Sequence, residues 1–137
     1  MQRLIIMRGI PGSGKSTLAK QMAKDNTDYV RVSKDDLREM RGQYWFPKDD
    51  EMIDDMERAI IETALKHGKS VIVDTTNLKE SRIKWLTLIP QLLGLDIKVD
   101  TIRTIVTLDE AIRRDANRER SVGEETIKRF YNRYEVV

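Results

Sequence analysis

Residues 9–17 read Gly-Ile-Pro-Gly-Ser-Gly-Lys-Ser-Thr, directly after the apolar run Leu-Ile-Ile-Met at 4–7. An unbroken run of aliphatic residues suits a strand buried on both faces. Beyond the motif, Leu18, Ala19, Met22 and Ala23 recur at helical spacing. Between strand and helix, the glycines free the backbone to curl until successive N–H groups converge, with the positive end of a helix behind them. The pattern G-x-x-x-x-G-K-[ST] in this setting constrains the chain more than any other feature. It predicts a phosphate-binding turn built from Gly12, Ser13, Gly14 and Thr17. Lys15 would reach the β- and γ-phosphates, and the Ser16 hydroxyl would ligate the magnesium that accompanies them.

The remainder reads as a single small domain over 1–137, large enough for one core. An apolar fraction of 39% beside a charged fraction of 35% describes a globular chain with a charged surface, not a disordered one. A net charge of +2 neither demands nor excludes a polyanionic partner, so any nucleic-acid contact must come from a local patch. The lack of cysteine removes disulfides, thiol nucleophiles and thiolate metal sites together. No apolar run approaches the ~18 residues of a membrane span, and a cytoplasmic location is expected.

Strand-like runs at 4–7, 29–32, 71–73 and within 97–106 alternate with helical stripes. Met52, Ile53, Met56, Ile60 and Ala64 form a long stripe ending near Gly68, a candidate C-cap beside His67. Ile83 and Leu86 begin a helix that Pro90 is expected to kink or split. Thr107 with Glu110, and Ser121 with Glu124, have capping-box spacing before two further helices. The fold class is therefore α/β, with a parallel sheet of about four strands flanked by helices. Ligands of such sheets bind beyond the carboxyl ends of the strands.

Each of those ends carries polar residues. After the second strand comes Ser33-Lys34-Asp35-Asp36-Leu37-Arg38. Asp35 is a candidate general base for a hydroxyl acceptor, with helix capping as the alternative; capping accounts for Asp36 through Ser33. Arg38 shares a face with Asp35 and would hold an acceptor's phosphate, or merely pair with Asp35. After the third strand, Asp74 is a candidate group for the magnesium's water shell, and Asn77 with Glu80 reads as an N-cap. Arg114 and Arg118 lie four apart on a face opposite Leu108, Ala111 and Ile112, and suit a phosphate-closing lid as well as a solvated basic face. Arg120 follows where the helical pattern breaks. The aromatic cluster Tyr44-Trp45-Phe46 is expected to fold over the core rather than stack on a base.

Taken together, these residues resemble the phage and bacterial polynucleotide 5′-hydroxyl kinases, a branch of the small P-loop kinases. The likeness runs through residues 9–17, the Asp35-Asp36-Leu37-Arg38 segment, Val71-Ile72-Val73-Asp74-Thr75-Thr76-Asn77-Leu78, and the lid, about 113–123. It implies a P-loop kinase fold without an appended phosphatase domain, and ATP or another nucleoside triphosphate as donor with magnesium. It also implies 5′-hydroxyl DNA or RNA ends as acceptor, and no membrane partner. By resemblance, Lys15 and Ser16 bind phosphates and magnesium, Asp35 is the base, Arg38 holds the acceptor nucleotide's phosphate, and Arg114 and Arg118 contact donor phosphates. Lys34 and Val122 would flank the acceptor base. Gly123 stands where the family usually has proline, implying looser lid closure. The alternative is a kinase of a sugar, antibiotic or similar alcohol. A guanine-nucleotide switch comes last, because the chain has no Asn/Thr-Lys-x-Asp element.

Overall fold

The computed structural model describes residues 1–42, 47–118 and 121–134. The expected aromatic cluster Tyr44-Trp45-Phe46 and Arg120 lie outside the described residues. Four parallel strands, β1 (Arg3–Arg8), β2 (Tyr29–Val32), β3 (Ser70–Val73) and β4 (Lys98–Arg103), form one sheet in the order β2-β3-β1-β4. Leu4 stands beside Val71 and Val99, and Ile6 beside Val73 and Thr101. Six helices connect and flank them: α1 (Lys15–Asp25), α2 (Lys34–Met40), α3 (Asp50–Lys66), α4 (Glu80–Leu92), α5 (Leu108–Ala116) and α6 (Glu124–Tyr134).

The period of two in β1 divides its side chains between two layers. Leu4 and Ile6 join Ile53, Ile61 and Leu65 of α3 and Leu86 and Ile89 of α4. Ile5 and Met7 face the other way, against Ala19, Met22 and Ala23 of α1. Both faces are covered, which explains the near-continuous aliphatic runs of β1 and β3. A third cluster of Ile10, Leu78, Val106, Ala111 and Ile127 caps the carboxyl end of the sheet and seats α5 and α6 there. β1 is followed by a helix on one face and β3 by a helix on the other. The crevice between these neighbouring strands is the switch point where α/β sheets hold ligands.

Several local expectations need correction. Pro90 lies buried inside α4 without ending it, because it sits in the last turn, where the chain leaves the helix two residues later through Leu93 and Gly94. α3 does end as expected beside Gly68, which follows at φ +81, but His67 closes it through its backbone N–H and not its side chain. Asn77 is not an N-cap; Lys79 occupies that position. Instead Asn77 is buried at φ +45, donating from Nδ2 to the carbonyls of Met7 (2.7 Å), Thr75 (3.2 Å) and Val73 (3.3 Å). Its Oδ1 accepts from Thr75 Oγ1 and Arg82 Nε, both at 3.0 Å. Arg82 in turn pairs with the fully buried carboxylate of Glu57 on α3.

One amide therefore ties the ends of β1 and β3 together beneath the site. Asn77→Ala should lower the unfolding free energy by about 2–4 kcal/mol in urea titrations, since several buried groups lose partners. Asn77→Gly should recover about 1 kcal/mol of that, because glycine tolerates positive φ.

Candidate active site

At the carboxyl rim, the loop after β1, the starts of α1 and α2, the β3–α4 connection, α5 and α6 surround one open cavity of about 1320 Å³. The loop is fixed by contacts that exclude larger side chains. Gly12 has φ +84, and a Cβ there would lie 2.7 Å from the Ala111 carbonyl oxygen. A Cβ on Gly9 would lie 2.2 Å from Thr104 Oγ1 and 2.4 Å from Ser13 Oγ. Those two hydroxyls are 2.6 Å apart, joining the loop to the end of β4. The Gly9 N–H donates to the Thr76 carbonyl at 3.2 Å, joining it to the β3 side.

Lys15 opens α1, nearly buried, and its Nζ donates to the Ile10 carbonyl at 3.1 Å across the loop. Burial lowers its pKa to about 8; Asp74 opposes the shift, Arg118 adds to it, and Asp35 opposes it. All three charges therefore lie near enough to act on this ammonium. Ser16 and Thr17 are exposed on the cavity wall. Leu18, expected to be core, is also exposed there.

α2 presents the second group. Ser33 Oγ accepts from the Asp36 N–H at 3.3 Å, as the capping spacing suggested. The Asp36 carboxylate is turned to Arg31, 2.6 Å away. Asp35 and Arg38 face the cavity together, Arg38 Nη1 to Asp35 Oδ1 at 3.1 Å, with Asp50 3.7 Å from the same guanidinium. Lys34 also lines the cavity, and its ammonium reaches Asp54 of α3 at 2.5 Å. Asp74 is buried at the end of β3, with Arg31 donating to its Oδ2 from Nε and Nη2 at 2.7 Å. Burial disfavours the Arg31 charge, but Asp36 and Asp74 outweigh it and raise its pKa.

α5 crosses above the loop. Thr107 caps it through the Glu110 N–H at 3.2 Å, as expected. Arg114 Nη1 donates to the Gly12 carbonyl at 3.2 Å, while Glu110 accepts from Arg114 Nε at 2.9 Å. Arg113 first, then Arg114, hold the Glu110 carboxyl down to about 2. Arg118 and Val122 line the same cavity. Ser121 is not the expected cap of α6: its hydroxyl donates to Asp115 Oδ2 at 2.8 Å. Asp115, 2% exposed, also accepts from the N–H groups of Val122 and Gly123, each at 2.9 Å. Burial would raise its pKa, but Val122, Ser121, Gly123 and Arg118 together outweigh that and lower it. Gly123 has φ +93 and gives up an N–H. Proline could do neither. The departure at Gly123 is thus joined to a carboxylate clamp.

The structure brings the sequence-identified residues Gly12, Ser13, Gly14, Lys15, Ser16, Thr17, Lys34, Asp35, Arg38, Asp74, Arg114, Arg118 and Val122 onto one cavity. Sequence reasoning missed Arg31, Asp115 and the orienting role of Glu110. A lone arginine within the short apolar strand 29–32 signals a buried carboxylate partner, and Glu110 lies four residues before Arg114. Asp115 carried no comparable signal, since its partners are mostly backbone.

Comparison with known proteins agrees with this architecture. A family model described as "AAA domain" matches residues 4–137. A curated relative, L-seryl-tRNA(Sec) kinase of Methanococcus maripaludis, is 32% identical over 136 residues, covering 96% of this chain and 52% of its own. The chain thus spans about half the length of that relative. A chain of the Pnkp1/Rnl/Hen1 RNA repair complex superposes with a TM-score of 0.84 at 25% identity, over 98% of this chain and 44% of that one. A gluconokinase from Sinorhizobium meliloti shares the fold, with a TM-score of 0.60 at 17% identity over 92% and 71%.

Asp115→Ala should leave the Val122 and Gly123 amides without an acceptor. Their hydrogen exchange should accelerate at least about tenfold, the equivalent of ~1.4 kcal/mol of lost protection, with β1 and β3 amides unchanged.

Proposed function

We propose, from the chain's membership of this AAA-domain family and the geometry of its rim, that it is an ATP-dependent kinase transferring the γ-phosphoryl group to the 5′-hydroxyl of DNA or RNA. The observation that carries the reading is the Asp35–Arg38 pair, 3.1 Å apart and facing the same cavity as Lys15, Arg114 and Arg118. A carboxylate opposite a phosphate cradle is placed to accept a hydroxyl proton. Two matched proteins have printed names that refer to RNA, a kinase of L-seryl-tRNA and an RNA repair complex, and they support an acceptor hydroxyl that belongs to, or is carried by, RNA.

In this reading the loop 9–14 and the α1 N-terminus bind the β- and γ-phosphates, with Lys15 on their oxygens. Arg38 grips the phosphate that follows the acceptor nucleoside. The acceptor oxygen bonds to the γ-phosphorus as the bond from that phosphorus to the β,γ-bridging oxygen breaks, releasing ADP. Asp35 takes the acceptor's proton. Arg114 and Arg118 form the lid and share the negative charge that spreads over the transferring group.

Among the described residues no group of three or more His, Cys, Asp or Glu side chains could hold a metal alone. A magnesium ion bound mostly by phosphate and water needs no such cage, so the Ser16 hydroxyl and, through water, Asp74 fit it. Held there, magnesium would neutralise negative charge on the donor's phosphates.

Transfer from γ-labelled ATP to 5′-hydroxyl oligomers tests the reading. Asp35→Asn should cut kcat by about 10²–10⁴-fold, while Arg38→Ala should raise the acceptor KM about tenfold or more. Labelling of gluconate or other alcohols in preference to every oligomer would replace this reading with a small-molecule kinase.

Lys15 supplies a pH test. Its pKa of about 8 means that free protein loses the ammonium as pH rises through 8, whereas bound phosphates favour keeping it. Donor binding then takes up a proton above that pH. Between the pH at which the γ-phosphate is fully ionised and pH 8, ATP affinity should be nearly flat, and above 8 it should fall by up to about tenfold per pH unit. Lys15→Arg, which stays charged, should flatten the slope in equilibrium titrations; a persisting slope would assign the titration to another group.

A further inference from the structure

The cavity extends beyond the residues used above. Its volume of about 1320 Å³ exceeds the roughly 300–1,000 Å³ of a small-ligand pocket, which leaves room beside the reacting groups. Part of the cavity lies where the β3–α4 connection meets α6. Leu78 is the floor, Lys79 and Arg82 form the α4 wall, and Phe130 and Tyr134 form the α6 wall. Phe130 and Tyr134 pack against the cluster that contains Leu78, so the two walls stand on one apolar base.

The extension combines aromatic rings with cationic side chains. The Phe130 and Tyr134 rings lie 6.2 Å apart at 27°, one helical turn from each other on a half-exposed face. Outside the cavity lining, the guanidinium of Arg133 sits 5.3 Å over the Tyr134 ring. Lys79 is exposed and has no acidic partner among the described residues. The Arg82 guanidinium is fixed by Glu57 and Asn77 and stacks 4.8 Å from Trp85, so its position is preset. Aromatic faces beside cations, continuous with a phosphate-gripping arginine, are what a single strand needs: a surface for a base and charge for its backbone.

Resting on the function proposed above, we propose that this extension is a second acceptor subsite. It would receive the nucleotide on the 3′ side of the 5′-terminal one, its base against Phe130 and Tyr134 and its phosphate near Lys79. The arrangement gives the protein a physical means of preferring strands over mononucleotides.

The test compares transfer from ATP to a nucleoside 3′-phosphate, a dinucleotide and a hexamer, each with a free 5′-hydroxyl. The unsubstituted protein should show kcat/KM rising at least about fivefold from the mononucleotide to the hexamer, as one stacked base allows. Phe130→Leu keeps apolar packing on the cluster and removes the ring; it should erase most of that gain through KM while leaving mononucleotide transfer unchanged. Lys79→Ala should reduce the slope of log KM against log salt for the hexamer by about 0.7, the contribution of one phosphate contact on a single strand. Equal effects of both variants on mononucleotide and hexamer, or no gain with length in the unsubstituted protein, would overturn the subsite while leaving the proposed reaction standing. Failure to phosphorylate any of the three would overturn the proposed reaction and the subsite with it.

Discussion

A backbone squeezed between two neighbours organises this protein. The loop after β1 lies so close to the Ala111 carbonyl and to Thr104 that hydrogen is the only side chain admitted at Gly12 and Gly9. Closeness on the β4 and α5 side is matched from below, where the Gly9 N–H and the Asn77 amide hold the β3 side against β1. With both flanks set, α1 begins where the loop ends. Lys15 then has little choice but to lie over the loop in a nearly dry place. The lowered basicity of that ammonium follows from the same crowding, since burial removes the water that would stabilise its charge.

Around that loop, charge is arranged in pairs rather than left to solvent. Asp35 has Arg38, Lys34 has Asp54, Asp74 has Arg31, Glu57 has Arg82 and Arg114 has Glu110. Asp74 and Glu57 are buried carboxylates that would be costly without their arginines, while the partly exposed pairs among them add little stability. Their value lies in holding long side chains in one orientation, so that a polyanion meets groups already placed. The proposed kinase reaction draws on that placement, because phosphoryl transfer depends on positioning and electrostatics more than on covalent chemistry from the protein.

The parts legible in the sequence are those fixed by short-range pattern. Apolar runs marked the first three strands and only bracketed the fourth within 97–106, and the glycine-lysine-serine loop fell between a strand and a helix. The one-sided spacing of Asp35 and Arg38 foretold their contact. Illegible were arrangements made by residues far apart in the chain. Asn77 read as a cap because Glu80 lies three residues on, yet the carbonyl of Met7, seventy positions away, claims its amide. Ser121 had the spacing of a cap, and a buried carboxylate on the preceding helix took its hydroxyl instead. Pro90 looked like a break because sequence alone does not reveal that the helix is about to end anyway.

Arg31 carries a consequence beyond its two partners. Its guanidinium spans from Asp36 in the first turn of α2 to Asp74 at the tip of β3, so the helix bearing Asp35 is latched to the strand bordering the phosphate loop. One guanidinium thus ties the first turn of α2 to the neighbouring strand end. The two halves of the rim are thereby joined through a single side chain drawn from β2.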